Sequence, residues 1–455
     1  MLALVAVFVL APASALAKSK QTAEVCKHGC DFRTIQDAVD ATGKNAVINV
    51  HPGTYREGVV VEGSKHDGLT IQGTNKNAKK VVLQGKNAKD PNGQPANNGI
   101  ETLGVDGARI LNLTVTKYLA NGIHFVGPDT GADSGPCKGY LAKNIIASFN
   151  RSYGIFAFNC IGGRMTESVG YGQGDSAYYV GATPPQTNPK WTKLDHLDAH
   201  ENVLGYSGTN SKYVRITKGD WYNNGVGIVP NTLDSEPYEP NAQGIIENNN
   251  IFWNNFNYFL PNSRVKTVSG GLGTLGGQTI NFPTGAGIVL LGSTGWLIQD
   301  NNIFGNFKWG AAAISDAVGN CEGPVVDNCP TGDDAMSVDN QFLNNQMGRG
   351  GTDTNAVDFF VDGSGRGNCF QGNTSSTFDP SDTATNANLY PTCPAPAPPA
   401  SGTGTQNGDP TQFGELASYV LSTPPETQEC SWVRHAHPAF EKFKPLDLTP
   451  GPTCP

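Results

Sequence analysis

The sequence predicts an all-β chain wound into a parallel β-helix of about ten coils. Three features lead there: an excess of turn-forming residues, a repeat of about 22 residues, and apolar alternation inside each repeat. Of 455 residues 56 are Gly and 42 are Asn, whereas 16% are charged. With 38% hydrophobic residues the chain has a core to bury, so its low charge does not signal disorder. The 31 Lys and Arg against 40 Asp and Glu give a net charge of −9 and no basic stripe, which argues against a nucleic-acid partner. Short apolar runs and four Met exclude a bundle of membrane spans.

Residues 1 to 17 form the first element. Residues 2 to 10 are continuously apolar, and Ala15, Leu16 and Ala17 give a small-x-small cleavage pattern. A secretion signal is expected, and with it a secreted or cell-surface location. Ten cysteines fit such an oxidising compartment, and the absence of any C-x2-C pair argues against a zinc ribbon. Their spacing suggests local pairs: Cys26 with Cys30, Cys137 with Cys160, Cys321 with Cys329, Cys369 with Cys393, and Cys430 with Cys454.

Residues 31 to 41 place Phe32, Ile35 and Val39 on one helical face, with Asp31 as N-cap. A short helix here covers the open end of the first coil, whose exposed edge would otherwise recruit other chains. Residues 47 to 55 and 68 to 73 read as the first strands. The body of the chain, residues 18 to 393, then carries the repeat. A small or polar residue followed by alternating apolar positions begins at Gly99, Gly122, Gly154, Ala177, Gly205, Gly227, Asn257, Gly287, Ala312 and Ala356. The separations are 23, 32, 23, 28, 22, 30, 30, 25 and 44 residues, a base period with insertions. Helical repeats need long 3.6-residue periodicity, which Gly and Asn interrupt here. One coil of three short strands, stacked about 4.8 Å from the next, fits instead. Asn suits the bends, and Asn121, Asn224, Asn255 and Asn306 are candidates to bond from coil to coil. Residues 394 to 412 are a Pro/Gly-rich linker, and residues 413 to 455, too few for a core, pack back on the rod.

The opening Phe32-Arg-Thr-Ile-Gln-Asp-Ala-Val, Val50-His-Pro-Gly-Thr-Tyr-Arg-Glu and the coils that follow resemble the right-handed parallel β-helix superfamily of pectate-lyase-like proteins. Gly174-Asp-Ser-Ala-Tyr-Tyr-Val-Gly and Asn223-Asn-Gly-Val-Gly-Ile-Val-Pro-Asn-Thr are similar to secreted bacterial β-helix repeat proteins. The resemblance covers residues 31 to 375 and implies the fold. The superfamily includes lyases, hydrolases, esterases, epimerases and phage adhesins, so no one activity follows.

Alternation turns the repeat into a surface map, because the residue after each small one points inward and the next points out. The outward column then reads Glu101, His124, Phe156, Tyr179, Ser207, Val229, Phe259, Val289, Ile314 and Asp358, with Phe158 and Asn231 two residues further along. Aromatic residues in that column suit sugar rings, and the alternative is that a loop or the C-terminal segment covers them. Insertions at 128–138, 182–193, 231–242, 262–286 and 316–335 follow this strand and wall a groove. Their acids include Asp129, Asp133, Asp234, Glu236, Glu239, Glu322, Asp327, Asp333 and Asp334. Glycoside hydrolysis needs two carboxylates, and loop acids also bind Ca²⁺. The candidates are Asp175, Asp234 and Glu236 for catalysis, and His124, Phe156, Phe158, Tyr179, Asn231 and Phe259 for substrate. Asp175 alternatively caps a Gly-Gln-Gly-Asp-Ser bend. His196, Asp198 and His200 alternate on one strand, which permits metal binding, although a fourth ligand is missing. Thr331-Gly-Asp-Asp is similar to the paired aspartates of polygalacturonase-like hydrolases, but the Gly-His-Gly and Arg-Ile-Lys that accompany them are absent. A lyase base would come from Lys190, Arg264 or Lys266 in the groove wall. The expected protein is a monomer that binds or modifies a polysaccharide; Ca²⁺ is a possible cofactor and no other is expected. The alternative is a non-catalytic cell-surface or adhesion rod.

Overall fold

The computed structural model describes residues 20–131, 133–233, 236–256, 258, 265, 284–314, 336–362, 365–374, 377–379, 390–394 and 436–446. The expected signal segment, the linker beyond residue 394 and the pairs Cys321–Cys329 and Cys430–Cys454 lie outside these residues, as do Asp234 and Phe259.

Each coil gives one strand to each of three faces. On the first face, eleven strands stack in parallel from Val59–Glu62 through Ile155–Phe158 and Ser176–Gly181 to Phe378–Asp379. The other two faces join into one 20-stranded sheet, because Arg109–Thr116 and Leu141–Ser148 run round the corner between them unbroken. Inward positions superpose from coil to coil: Ile123, Ile155, Tyr178, Tyr206, Ile228, Ile288 and Ala311 are all fully buried. The small residue that opens each repeat marks close backbone approach. A Cβ on Gly122 would lie 2.6 Å from the Gly154 carbonyl oxygen of the next coil.

The repeat unit expected at Asn257 lies outside the described residues; among those described, Val226–Asn231 pairs directly with Ala286–Leu291. Two further units move. At Ala312 and Ala356 the units sit two residues off: Ala311 and Phe359 are the inward partners of Ile288. A slip of two leaves inward and outward unchanged. Ile314 and Asp358 are nevertheless each two residues off the outward column, since Val289 pairs with Ala312 and then Phe360.

The corners follow a rule that composition alone concealed. One residue takes a positive φ, and the next, an Asn, points inward and bonds to its equivalent in the following coil. Glu201, Asn223, Trp253 and Gly305 have φ of 56°, 53°, 53° and 63°. The following Asn202, Asn224, Asn254 and Asn306 then donate in series, each Nδ2 to the next Oδ1, ending on Asn355, at 2.9 to 3.2 Å. A second ladder joins Asn249, Asn301, Asn345 and Asn373 at 2.9 to 3.0 Å. The left-handed position accepts Glu, Trp and Asp as well as Asn and Gly, so Asn is needed for its amide more than for its backbone. Of the four candidates, Asn224 and Asn306 lie in this ladder and Asn121 bonds to Asn98. Asn255 is one residue past the ladder; its amide serves the backbone of Gly305 and Phe307 instead.

The ends differ from expectation in detail. Strand Lys20–Val25 pairs in parallel with Thr42–Val50, so a strand precedes those read from the sequence. Helix Ile35–Asp40 buries Ile35, Ala38 and Val39, and its N-cap is Thr34, not Asp31. Asp31 bonds to the Glu24 amide instead, while Glu57 accepts the helix N–H groups of Ile35 and Gln36, each at 3.0 Å. Phe32 packs against the core from outside the helix. Disulfides join Cys26 to Cys30, Cys137 to Cys160 and Cys369 to Cys393, three of the five expected pairs. The last carries the chain across the final coil, where Tyr390 packs on Phe370 and its hydroxyl donates to the Phe359 carbonyl. Residues 436–446 dock on the third face, with Phe440 and Phe443 against Phe252 and Phe304 and His437 Nδ1 2.9 Å from Asp353.

Asn254→Ala should cost about 3 kcal/mol in chemical denaturation, because it strands the buried amides of Asn224 without an acceptor. Asn92→Ala, at an exposed turn, should stay within about 0.5 kcal/mol.

Candidate functional site

The first face places the outward column as the alternation requires. Glu101, His124, Phe156, Tyr179, Ser207 and Val229 are direct neighbours on successive strands. Its exposure, however, stops part way. His124, Phe156 and Phe158 are half-buried, whereas Ser176–Gly181 and the four strands from Leu204–Thr209 to Trp309–Ile314 are buried at every residue. Beyond Tyr179 the outward side chains form a second apolar cluster: Val229, Val289, Ala312 and Phe360 pack with Tyr258 and Val265 from the insertion. The groove floor is therefore short: it spans the coils of Glu101, His124 and Phe156 and ends at the buried Tyr179.

Asp175 and Glu236 lie at the end of this floor, near enough for the charge of Asp175 to act on Glu236. Asp175 directly precedes the Tyr179 strand, its N–H donating to the Ser152 carbonyl and its carbonyl accepting from Leu204. Its side chain bonds to Tyr153 rather than capping its own bend. Glu236 arrives on the 232–240 loop, clamped by the neighbouring coil: Asn210 Nδ2 donates to the carbonyls of Leu233 and Glu236 at 2.8 and 2.6 Å. Lys212 Nζ likewise donates to the carbonyls of Tyr238 and Pro240. Thus positioned, Glu236 accepts the Tyr179 hydroxyl on both oxygens, at 2.6 and 2.7 Å. Tyr153 and Tyr179 pack ring to ring at 4.8 Å, so the two phenols carry the two acids side by side.

This environment changes both acids. Burial pushes Asp175 up to about 7, against the hydrogen bond from Tyr153. Burial likewise pushes Glu236 up to about 7; the Tyr179 bond opposes the rise and the charge of Asp175 adds to it. Burial and the adjacent acids hold both phenols well above their ordinary value, so they are donors only. A half-buried carboxyl pair near neutrality can hold one proton while offering one ionised oxygen, the requirement of acid–base catalysis at neutral pH.

At the other end of the floor, His124 Nδ1 lies 3.0 Å from Glu101 Oε1, which also accepts from Asn98. Burial would raise Glu101, but the bond and charge of His124 together with Asn98 leave it lowered. His124 stacks on Phe156 at 4.5 Å and Tyr153 stacks on it at 4.6 Å, so both faces of Phe156 are taken. The expected presentation of that ring's face to sugar is corrected: it offers an edge, and the open apolar contact falls to Phe158.

Three further expectations change. Asn231 is 3% exposed, and its amide is committed to Ser207, Thr209 and Val229, leaving nothing for substrate. Tyr179 is only 1% exposed and holds Glu236 rather than facing open solvent. His196 does not share a strand with Asp198 and His200; it occupies a corner with φ 54° and bonds to Asp195. His200 stacks between Tyr171 and Tyr222, and among the described residues no group of three or more His, Cys, Asp or Glu could hold a metal. Tyr153 was missed. The signal was available, because Tyr153 and Ser176 both precede the small residue of the repeat and so sit side by side on adjacent coils.

No protein-family model matches this sequence, and no curated protein matches it. Solved structures do. The A-module of mannuronan C-5 epimerase AlgE4 from Azotobacter vinelandii is 13% identical with a TM-score of 0.47, over 74% of this chain and 89% of that one. Tailspike protein 2 of an Escherichia coli O157:H7 bacteriophage is 10% identical with a TM-score of 0.46, over 78% and 43%. Pectate lyase Pel9A is 14% identical with a TM-score of 0.40, over 84% and 82%. The chain's own strand pairing, one parallel strand per coil on each face, makes it a parallel β-helix.

Proposed function

We propose that this chain is a secreted polysaccharide-modifying enzyme whose reacting groups are Asp175 and Glu236. The observation that carries the reading is the placement of two half-buried carboxyls, each near 7 and each held by a tyrosine, at the end of a half-open floor lined by His124, Phe156 and Phe158. Hydrolysis of a glycosidic bond is the chemistry such a pair serves best. The protonated acid donates to the leaving oxygen, and the ionised one activates water or attacks the anomeric carbon. Tyr179 fixes Glu236 and Tyr153 fixes Asp175. The three disulfides support export. Burial of the outward column beyond Tyr179 favours the second reading, a non-catalytic adhesion rod, for that stretch alone.

Incubation with a panel of polysaccharides, following reducing ends and absorbance of unsaturated products, separates hydrolase, lyase and inert rod. Release of reducing ends without unsaturation is expected. Asp175→Asn and Glu236→Gln should each lower kcat by about 100-fold or more while leaving the fold intact. An active Asp175→Asn, Glu236→Gln double variant would remove the assignment.

The rate should peak near pH 7. Because the Tyr179 hydroxyl lowers Glu236, Tyr179→Phe should move the limb that Glu236 controls to higher pH. Both folded-state values lie above those of the unfolded chain, so these acids cost stability as pH rises from about 4 to about 7. Asp175→Asn should accordingly be at least as stable as the parent at pH 8, although inactive; thermal unfolding at pH 5 and pH 8 reads this directly.

A further inference from the structure

The charge of the cleft selects its substrate. Glu101, Asp175 and Glu236 bring carboxyls to the open floor from three separate coils, and Asp129 and Asp133 are exposed on the loop after the His124 strand. That loop lies against the floor's first coils, since a Cβ on Gly104 would meet Asp133 at 2.9 Å. The imidazole on the floor, His124, is paired with Glu101 and so is not available to the other acids. Arg151, two residues before Tyr153, is exposed. Burial and the bond from Tyr153 set the state of Asp175, and burial, the bond from Tyr179 and the charge of Asp175 set that of Glu236.

From this arrangement we infer that the cleft takes a polysaccharide free of acidic groups, neutral or amino-sugar in kind, and rejects polyuronates and sulfated chains. The inference rests on the Asp175–Glu236 pair being the reacting centre. A uronate unit bound there would set its carboxylate against like charges in a half-dry cleft, losing hydration and meeting repulsion together. Hydroxyls and acetamido groups pay neither penalty, and an ammonium gains.

The test compares polymers that share a backbone and differ in charge. Affinity electrophoresis of the full chain is run against homogalacturonan and its full methyl ester, carboxymethyl- and hydroxyethyl-cellulose, chitosan, and neutral mannan, xylan and galactan. Uncharged or amino polymers should bind at least ten-fold tighter than any acidic one at about 20 mM salt, the gap narrowing at about 300 mM. The Asp175→Asn, Glu236→Gln double variant should narrow it too. Tighter or equal binding of an acidic polymer overturns the charge inference and leaves the polysaccharide reading standing. Retention by none of the panel overturns both.

Discussion

Everything in this molecule depends on one coil lying at hydrogen-bonding distance from the next. Parallel strand ladders satisfy the backbone along the three faces, but at the corners the strands end and buried amides would be left over. The Asn ladders close that gap: Asn202, Asn224, Asn254, Asn306 and Asn355 carry a continuous line of side-chain bonds through the interior, where they are buried. Each amide both donates and accepts, so one residue type per corner satisfies the coil before and the coil after. Substituting one member removes partners from two neighbours, which makes these Asn residues structural despite being polar.

The same stacking decides where chemistry can occur. An outward side chain on one coil is flanked by its counterparts above and below, so rings in the column stack on each other, as His124, Phe156 and Tyr153 do. Their faces are spent before any ligand arrives. What remains for function is whatever the loops bring across the column. On the long covered stretch the loops bring apolar groups and seal it; at Tyr179 the 232–240 loop brings a carboxyl instead. Burial there is deep enough to raise both acids and shallow enough to leave Asp175 and Glu236 half-buried.

Much of this was legible in the residues. Period-two alternation located the strands and the inward and outward rows, because a pleated strand leaves no other choice. Asp175 was visible as an acid directly before a strand of the outward column. The errors share a cause. The units at Ala312 and Ala356 matched the repeat locally yet sit two residues off, since local pattern cannot register which residues are paired across coils. Asn231 and Tyr179 were read as exposed because alternation reports only that a side chain leaves the core, and cannot report that a loop lies on top of it.

The sequence by itself determined the winding: a period set by three short strands, corners marked by Asn, and cysteines spaced to join adjacent coils. These are properties of neighbouring residues and of the fixed rise from coil to coil. Only the tertiary structure decided which half of the outward face stays open and which two acids lie near each other. Asp175 and Glu236 are 61 residues apart, and their proximity depends on the clamp that Asn210 and Lys212 place on a loop two coils away. An arrangement of that kind is created by the stacking of coils and has no trace in the repeat.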